Sequence, residues 1–221
     1  MESYRLTKAV RSERLGIVEH KVLLPGVQEH RTFRYYAVRI GLVWPTAESP
    51  GYFLVGGAEV YNEQITPCER AQVRILEQVE IPELSLGRLF DAVTSAYVAH
   101  LCDSIYVDFE VVDYLNGLYD YLDQHKLRTV SVYDAPFKDL GYRFSVVGDF
   151  NDTGDLVLDK DTQLYRDLQG VSRAHLLNNP EVKFYRLNAL SYLLAGFSKY
   201  TPGPSMFLDP GLGKGAPGWM L

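Results

Sequence analysis

Cysteine and tryptophan are scarce in this sequence, with two of each in 221 residues. Cys68 and Cys102 form no CxxC pair, and no histidine pair stands near them at zinc-ligand spacing. The sequence therefore predicts neither a structural zinc site nor a disulfide framework. Because Cys102 lies in an apolar run, we expect it to be a buried thiol.

Long apolar runs are also missing, and none approaches the roughly 20 residues that a helix needs to cross a bilayer. The opening residues, MESYRLTKAV, lack the apolar core of a signal peptide. These absences predict a cytoplasmic protein with no membrane partner.

The sequence also lacks an excess of positive charge. It has 28 Asp and Glu against 22 Lys and Arg, and its net charge is −6. A domain that binds DNA unaided is usually basic, because Lys and Arg neutralise phosphates. The overall charge argues against an autonomous nucleic-acid binder but is compatible with one that a partner delivers to DNA. Locally, Arg5, Lys8, Arg11 and Arg14 recur every three positions and would line one side of a helix. This segment is either a solvated arm or a binding patch.

Hydrophobic residues make up 47% of the chain and charged residues 23%, which is ordinary globular usage. The composition along the chain predicts an N-terminal arm over 1–30 and a single α/β domain over 31–200. The last segment, 201–221, is rich in Pro and Gly and is expected to be an extended tail.

Two β-rich stretches open the predicted domain, Thr32–Trp44 and Tyr52–Tyr61. The turn-forming segment Pro45–Gly51 joins them, so an antiparallel hairpin is predicted. In Pro67–Val79, apolar residues follow at helical spacing, which favours a helix there.

Residues 87–133 are predicted to form an α–β–α–β unit. An amphipathic stripe is followed by the apolar run Ser104–Phe109, a second stripe over Val111–His125 and the run Leu127–Tyr133. Two strands joined by a helix in this order form a parallel crossover. Further along, Gly148–Asp155 reads as a polar turn or loop, Asp161–Leu177 as a possible helix and Phe184–Tyr200 as a strong helix.

Both strands of the crossover end at an acid, Asp108 after the first and Asp134 after the second. Ligands bind at the carboxyl ends of parallel strands, and paired carboxylates suit a hard cation such as Mg²⁺. Asp108, Asp134 and nearby Glu110 are therefore candidate metal ligands. The alternative is that both Asp residues are helix N-caps, since each directly precedes a helix or turn, where Asp is favoured. Glu59, in the hairpin strand, is a further candidate that could line the same crevice or face solvent.

Three segments together resemble the ribonuclease H-like nuclease domain at the C-terminal end of the large terminase subunits of tailed bacteriophages. Ala37–Trp44 (AVRIGLVW) with Tyr52–Tyr61 is similar to the first hairpin of that family. Ile105–Glu110 (IYVDFE) is similar to its central strand with the second catalytic acid, and Arg186–Gly196 (RLNALSYLLAG) to its final helix. The resemblance covers roughly residues 33–200 and implies a mixed sheet, an antiparallel hairpin plus parallel βαβ strands, flanked by helices.

The resemblance also implies which positions would carry metal ligands. The first acid of the family lies in a V-D-x-G strand, and Arg39 stands at that position in Val38–Gly41. The last acid falls near Arg186 or Asn188, neither of which is acidic. Asp108 alone matches by position, so Asp134, Glu59 or Glu110 would have to complete a catalytic site.

Two functions follow from the resemblance. One is a metal-dependent endonuclease, or a degenerate relative of one, that uses Mg²⁺ or Mn²⁺ on double-stranded DNA during phage genome packaging. The other is a non-catalytic structural or assembly protein of this fold that binds other phage packaging or assembly proteins through its arm and tail. Either would act in the host-cell cytoplasm.

Overall fold

A computed structural model describes residues 5–12, 16–23, 30–60, 71–82, 84–127, 129–135, 140–170 and 184–197. The predicted tail, Arg14 and Cys68 lie outside these residues. The strands in chain order are β1 (Arg5–Arg11), β2 (Val18–Leu23), β3 (His30–Val43), β4 (Gly51–Glu59), β5 (Val73–Ile81), β6 (Ser104–Val107), β7 (Ser131–Asp134) and β8 (Leu156–Val157). The helices are α1 (Leu86–His100), α2 (Val112–Gln124), α3 (Leu140–Asp152), α4 (Gln163–Gly170) and α5 (Tyr185–Phe197).

The described strands form one mixed sheet in the order β1-β2-β3-β4-β5-β8. Strands β1 to β5 pair antiparallel, whereas β6 runs parallel to the second half of β3 and β7 runs parallel to β6. Two strands share the same long edge of β3: β2 pairs with residues 30–35 and β6 with residues 39–42. The predicted hairpin (β3–β4), the parallel crossover (β6-α2-β7) and the mixed α/β class are confirmed.

Helices cover both faces of the sheet, so each face has its own core. Val38, Ile40 and Leu42 of β3 pack with α1 and α2, and all three are fully buried. Helices α3, α4 and α5 pack on the opposite face through side chains such as Phe150 and Leu190. Within the described chain, no helix is long and apolar enough to span a membrane.

Helix α5 lies unusually close to β3 because Gly41 has no side chain. A Cβ at Gly41 would lie 2.8 Å from the backbone nitrogen of Leu193 and would also clash with the carbonyl oxygen of Ala189. Glycine at this strand position therefore allows direct backbone-to-backbone approach of helix and sheet.

The basic N-terminal segment contains a strand, β1, so the prediction that its cations line one side of a helix is wrong. β1 pairs along its length with β2, which in turn pairs with β3. Arg11 donates to the carbonyl oxygen of Leu101 (2.6 Å) and forms an ion pair with Asp103 (2.7 Å). Beside them, the thiol of Cys102 is buried as expected, and burial raises its pKa. Whether 1–30 is a separate arm stays a prediction.

The helix predicted over Pro67–Val79 is wrong, because β5 occupies its described part. The register of β5 against β4 shifts at Leu76, since Val55 pairs with Glu77 and Gly56 with Ile75. One extra residue moves the following side chains to the other face of the sheet. The apolar residues before and after the shift thus contact different cores, and their spacing of three imitates a helix.

The loop predicted over Gly148–Asp155 is also wrong in its first part, because α3 continues to Asp152. Val147 and Phe150 are buried against the α5 side of the sheet, while Asp149 between them is exposed. Two residues after the end of the helix, Gly154 has a φ of 72°, and the Asp155 nitrogen donates to the Phe150 carbonyl oxygen (2.9 Å). This is a glycine-based helix C-terminus.

Replacing Gly148 by Ala tests the position of this helix. Among the described residues, no atom outside the backbone of α3 lies within 4 Å of a Cβ added at Gly148. Ala is favoured over Gly inside a helix by about 0.5–1 kcal/mol. We expect Gly148→Ala to raise the free energy of unfolding in urea by that amount. Gly41→Ala, which forces α5 off β3, should lower it instead. A destabilising Gly148→Ala would contradict the helix.

A buried histidine pair fixes the N-terminal strands to the end of α1. His20 of β2 donates from Nε2 to the carbonyl oxygen of His100 (2.9 Å), and His100 bonds Glu77 of β5 through Nε2 (2.9 Å). The two rings lie 5.3 Å apart. His20 is fully buried, and burial lowers its pKa to about 4.

This low pKa predicts a specific loss of stability in acid. Between about pH 6.5 and 4, an unfolded chain protonates His20 and the folded chain does not, so stability falls as pH falls through that window. The contribution approaches about 3 kcal/mol at the acid end. We expect His20→Gln, whose amide keeps a donor, to remove this part of the decline in the free energy of unfolding. Urea unfolding at pH 7 and at pH 4.5 measures the decline. The matched control His125→Gln, at an exposed histidine, should leave the decline unchanged; an unchanged decline in His20→Gln would contradict the assignment.

Candidate functional site

The candidate site is the sheet edge at which β3, β6 and β7 end side by side. Leu42 of β3 pairs with Val107 of β6, and Val107 pairs with Asp134 of β7. Asp108 is the next residue after Val107, so continuing the register places Val43 of β3 beside it. The crossover thus brings its two terminal acids to one edge.

Asp108 is held at both its backbone and its side chain. Its Oδ1 accepts a hydrogen bond from the Glu110 nitrogen (2.8 Å), and its carbonyl oxygen accepts one from Nε1 of Trp44 (2.8 Å). Trp44 is buried with its ring edge against Phe90. Asp108 therefore stabilises the turn between β6 and α2. It is not the helix N-cap that the sequence left open, because the N-cap of α2 is Val111.

Asp134 bonds the same turn. Its Oδ1 accepts a hydrogen bond from the Phe109 nitrogen (3.2 Å), next to the nitrogen that Asp108 binds. The structure thus brings Asp108 and Asp134 together, with exposed Glu110 in the same turn. Their role as metal ligands stays a prediction.

Glu59 does not lie near these acids, so the suggestion that it could line the same crevice is wrong. It lies at the far end of β4, where it pairs with Tyr35 of β3 and forms an ion pair with Arg74. Tyr35 and Val43 are eight residues apart on one strand, which corresponds to about 25 Å. A metal bound by Asp108 is out of reach of Glu59.

Arg39, which stands where the resemblance implies the first acid, is also remote from the edge. It pairs with Ser104, at the start of β6, and not with the end of that strand. Its guanidinium carbon lies 5.0 Å from the centroid of the Phe197 ring and 5.7 Å from that of Tyr106. These are cation–π distances, so Arg39 joins β6 to the end of α5.

The two positions of α5 that match the last acid differ in their surroundings. The Oδ1 of Asn188 is buried and has no hydrogen-bond partner within the described chain. Arg186 donates to Glu80 of β5 (2.6 Å) and to Asp167 of α4 (3.1 Å), and Tyr185 donates to the same Glu80 carboxylate (2.8 Å). Two carboxylates therefore share a guanidinium at this position.

Burial and hydrogen bonding act in opposite directions on the pKa of Arg186. Burial lowers this pKa, but the hydrogen bonds that Arg186 donates to Glu80 and Asp167 outweigh burial and raise it overall. Burial also raises the pKa of Tyr185, and its bond to Glu80 raises it further. The sequence did not reveal this cluster, because Glu80 and Asp167 are distant along the chain and neither belongs to a motif.

The residues at this edge do not fit a two-metal centre. No group of three or more His, Cys, Asp or Glu that could hold a metal ion occurs in the described ranges. Arg39 stands where the resemblance implies a first acid, and Asn188 or Arg186 where it implies a last one. Two ions about 4 Å apart need several bridging and terminal oxygen ligands, and the carboxylates of Asp108 and Asp134 alone do not supply them.

Solved structures share this fold, although neither a protein-family model nor a curated protein matches the sequence. The zinc-bound large terminase nuclease from thermophilic phage G20c superposes with a TM-score of 0.52 and 10% identity, covering 86% of this chain and 91% of that one. The nuclease domain of the large terminase from bacteriophage SPP1, with bound Mn, matches with a TM-score of 0.47 and 16% identity, covering 71% of this chain and 84% of its own. RuvC from Thermus thermophilus matches with a TM-score of 0.42 and 12% identity, covering 72% and 93%. The G20c match confirms the ribonuclease H-like fold that the resemblance implied.

Removing Arg186 tests whether its guanidinium neutralises the two carboxylates. The side chains of Arg186 and Asp167 are each 20% exposed, and that of Glu80 is 39% exposed. Breaking a buried pair costs about 3–5 kcal/mol, and partial exposure reduces that here, so we expect Arg186→Gln to cost about 2 kcal/mol in urea unfolding. The control Arg34→Gln breaks a pair whose side chains are 54% and 37% exposed and should cost less than about 1 kcal/mol. Equal losses in the two variants would argue against a special role for Arg186.

Proposed function

We propose that this protein is a non-hydrolytic relative of the large terminase nuclease domain, acting as a DNA-associated component of phage genome packaging. The observation that supports the proposal is the hydrogen bonding of the Asp108 carboxylate. This carboxylate alone matches a family acid by position, and its Oδ1 accepts a hydrogen bond from the turn that follows.

The ribonuclease H-like fold supports the placement among packaging proteins. The G20c structure, similar over most of both chains, is a large terminase nuclease. The fold supplies a rigid sheet with helices on both faces, and such a scaffold serves binding as well as catalysis. Double-stranded DNA and other packaging or assembly proteins are the proposed partners.

A second candidate is an active Mg²⁺- or Mn²⁺-dependent endonuclease. It is favoured by one observation, the meeting of Asp108 and Asp134 at successive backbone nitrogens of one turn. With Glu110, these acids could hold a single cation whose remaining ligands are waters. The G20c and SPP1 nucleases contain zinc and Mn in their crystal structures.

Substituting Asp108 separates the two candidates. Asn accepts the same backbone hydrogen bond as Asp but lacks the charge that a hard cation requires. If Asp108 only stabilises this turn, Asp108→Asn should keep the stability of the wild type, whereas Asp108→Ala should lose about 1 kcal/mol. Urea unfolding measures both values.

The same variants are then incubated with supercoiled plasmid in Mg²⁺ or Mn²⁺. We expect no cleavage above background from the wild-type protein with either metal. Asp113→Asn, at an exposed acid in the first turn of α2, is the matched control. Cleavage that disappears in Asp108→Asn and persists in Asp113→Asn would sink the non-hydrolytic proposal and establish the nuclease.

A further inference from the structure

The positive charge of this acidic chain is concentrated at one end of the sheet. The described parts of β1, β2 and the first half of β3, with their flanking residues, span 5–12, 16–23 and 30–35. They contain one acid, Glu19, against six basic residues: Arg5, Lys8, Arg11, Lys21, Arg31 and Arg34. Residues 1–35 as a whole carry seven basic and four acidic residues, whereas the whole chain has a net charge of −6, so the N-terminal segment is positive within an acidic chain.

A shift in the register of β1 decides which of its cations share a face. Leu6 pairs with Val22 and Lys8 with Lys21, so Thr7 is an extra residue. Residues three apart on a regular strand face opposite sides, but the extra residue places Arg5 and Lys8 on the same side. No shift separates Lys8 from Arg11, which faces the other side and binds Asp103.

Neighbouring strands add further cations to that side. Lys8 lies directly opposite Lys21, and Arg34 of β3 lies beside Glu19 of β2. All four basic residues of this outer surface are exposed. We call it the cationic face, and it consists of Arg5, Lys8, Lys21 and Arg34.

The cationic face is not neutralised within the described chain. Arg34 bonds Glu19 at 2.9 Å, whereas the other three cations contact no acid among the described residues. Like charges directly opposite each other destabilise a sheet. The arrangement of Lys8 against Lys21 therefore favours an external anion.

The chemistry of the surface indicates which anion. Besides Glu19 and the four cations, this side presents Val10, Leu23, His30 and Thr32. Over the described residues 5–12, 16–23 and 30–35 it has no Phe, Tyr or Trp, and Tyr36, the next residue on this side of β3, is half-buried against the core beneath α5. Protein interfaces depend on aromatic or large apolar anchors, and membrane-surface binding needs an apolar face to insert. A regular row of exposed cations without such anchors suits a phosphate backbone.

We propose that the cationic face binds the phosphodiester backbone of double-stranded DNA. The proposal locates the DNA contact of the proposed function and rests on that function for the choice of DNA. Because the contact is to phosphates, binding is independent of sequence. It is also remote from Asp108, since Tyr35, where the cationic part of β3 ends, is about 25 Å from Val43 along the strand.

The number of free cations sets the expected salt dependence. If Arg5, Lys8 and Lys21 each neutralise one phosphate, a plot of log K against log salt has a slope of about −2.7. Affinity for a DNA duplex should then fall about 40-fold between 50 and 200 mM salt. Fluorescence anisotropy with a labelled duplex of arbitrary sequence measures this fall.

A triple variant tests the face against a variant with matched charge. Arg5→Gln, Lys8→Gln and Lys21→Gln together remove three charges from the face. Lys126→Gln, Lys160→Gln and Arg166→Gln remove three exposed charges elsewhere. We expect the face variant to lose at least tenfold in affinity at 50 mM salt and most of the salt slope, while the control keeps both. Thermal melting of each variant checks that the fold is intact.

Several outcomes would overturn the proposal. Equal losses in the face and control variants would mean that net charge, and not this surface, governs binding. Tight binding of polyglutamate with the same sensitivity to the face variant would assign the surface to an acidic protein. DNA binding that survives in the face variant would leave the proposed function intact with its contact elsewhere. No DNA binding by the wild type would remove both the face and the DNA association, whereas cleavage dependent on Asp108 would remove the non-hydrolytic function alone.

Discussion

The contact of α5 with β3 is the interaction on which the rest of the structure depends. β3 pairs with β2, β4 and β6, so its position determines where every other part of the sheet can lie. The absence of a side chain at Gly41 lets Leu193 approach the strand backbone directly, and Gly196 gives the ring of Tyr106 the same access on the helix side. A close-packed interior transmits any displacement here, so these glycines hold the sheet and its second helical layer in one arrangement.

That arrangement creates the sheet edge at which β3, β6 and β7 end side by side, and the polar groups there bind partners within the chain. Asp108 and Asp134 accept backbone hydrogen bonds from one turn. At the start of α5, the guanidinium of Arg186 binds Glu80 and Asp167. A guanidinium is permanently charged and satisfies carboxylates with directed hydrogen bonds. The edge is thus stabilised by partners within the chain.

Charge separation within the chain is compatible with the proposed affinity of an acidic protein for DNA. Acidic residues predominate overall, and the N-terminal strands present cations on one surface. The electrostatic field near a surface depends on the nearest charges, because salt screens charges that lie more than about 10 Å away. Net charge alone therefore excludes less than it first suggests about nucleic-acid binding.

Local periodicity by itself determined α1, α2, α5 and the strands that end at Asp108 and Asp134, because each contacts one core with a regular repeat. Tertiary structure decided the rest. The register shift at Leu76 transfers β5 from one core to the other, and pairing with β2 makes a strand of a segment whose cations recur at helical spacing. The register of the strands also decided which carboxylates lie together. It places Asp108 beside Asp134 and keeps Glu59 far from both. Contacts between residues far apart in sequence leave no local pattern, so only the folded chain revealed them.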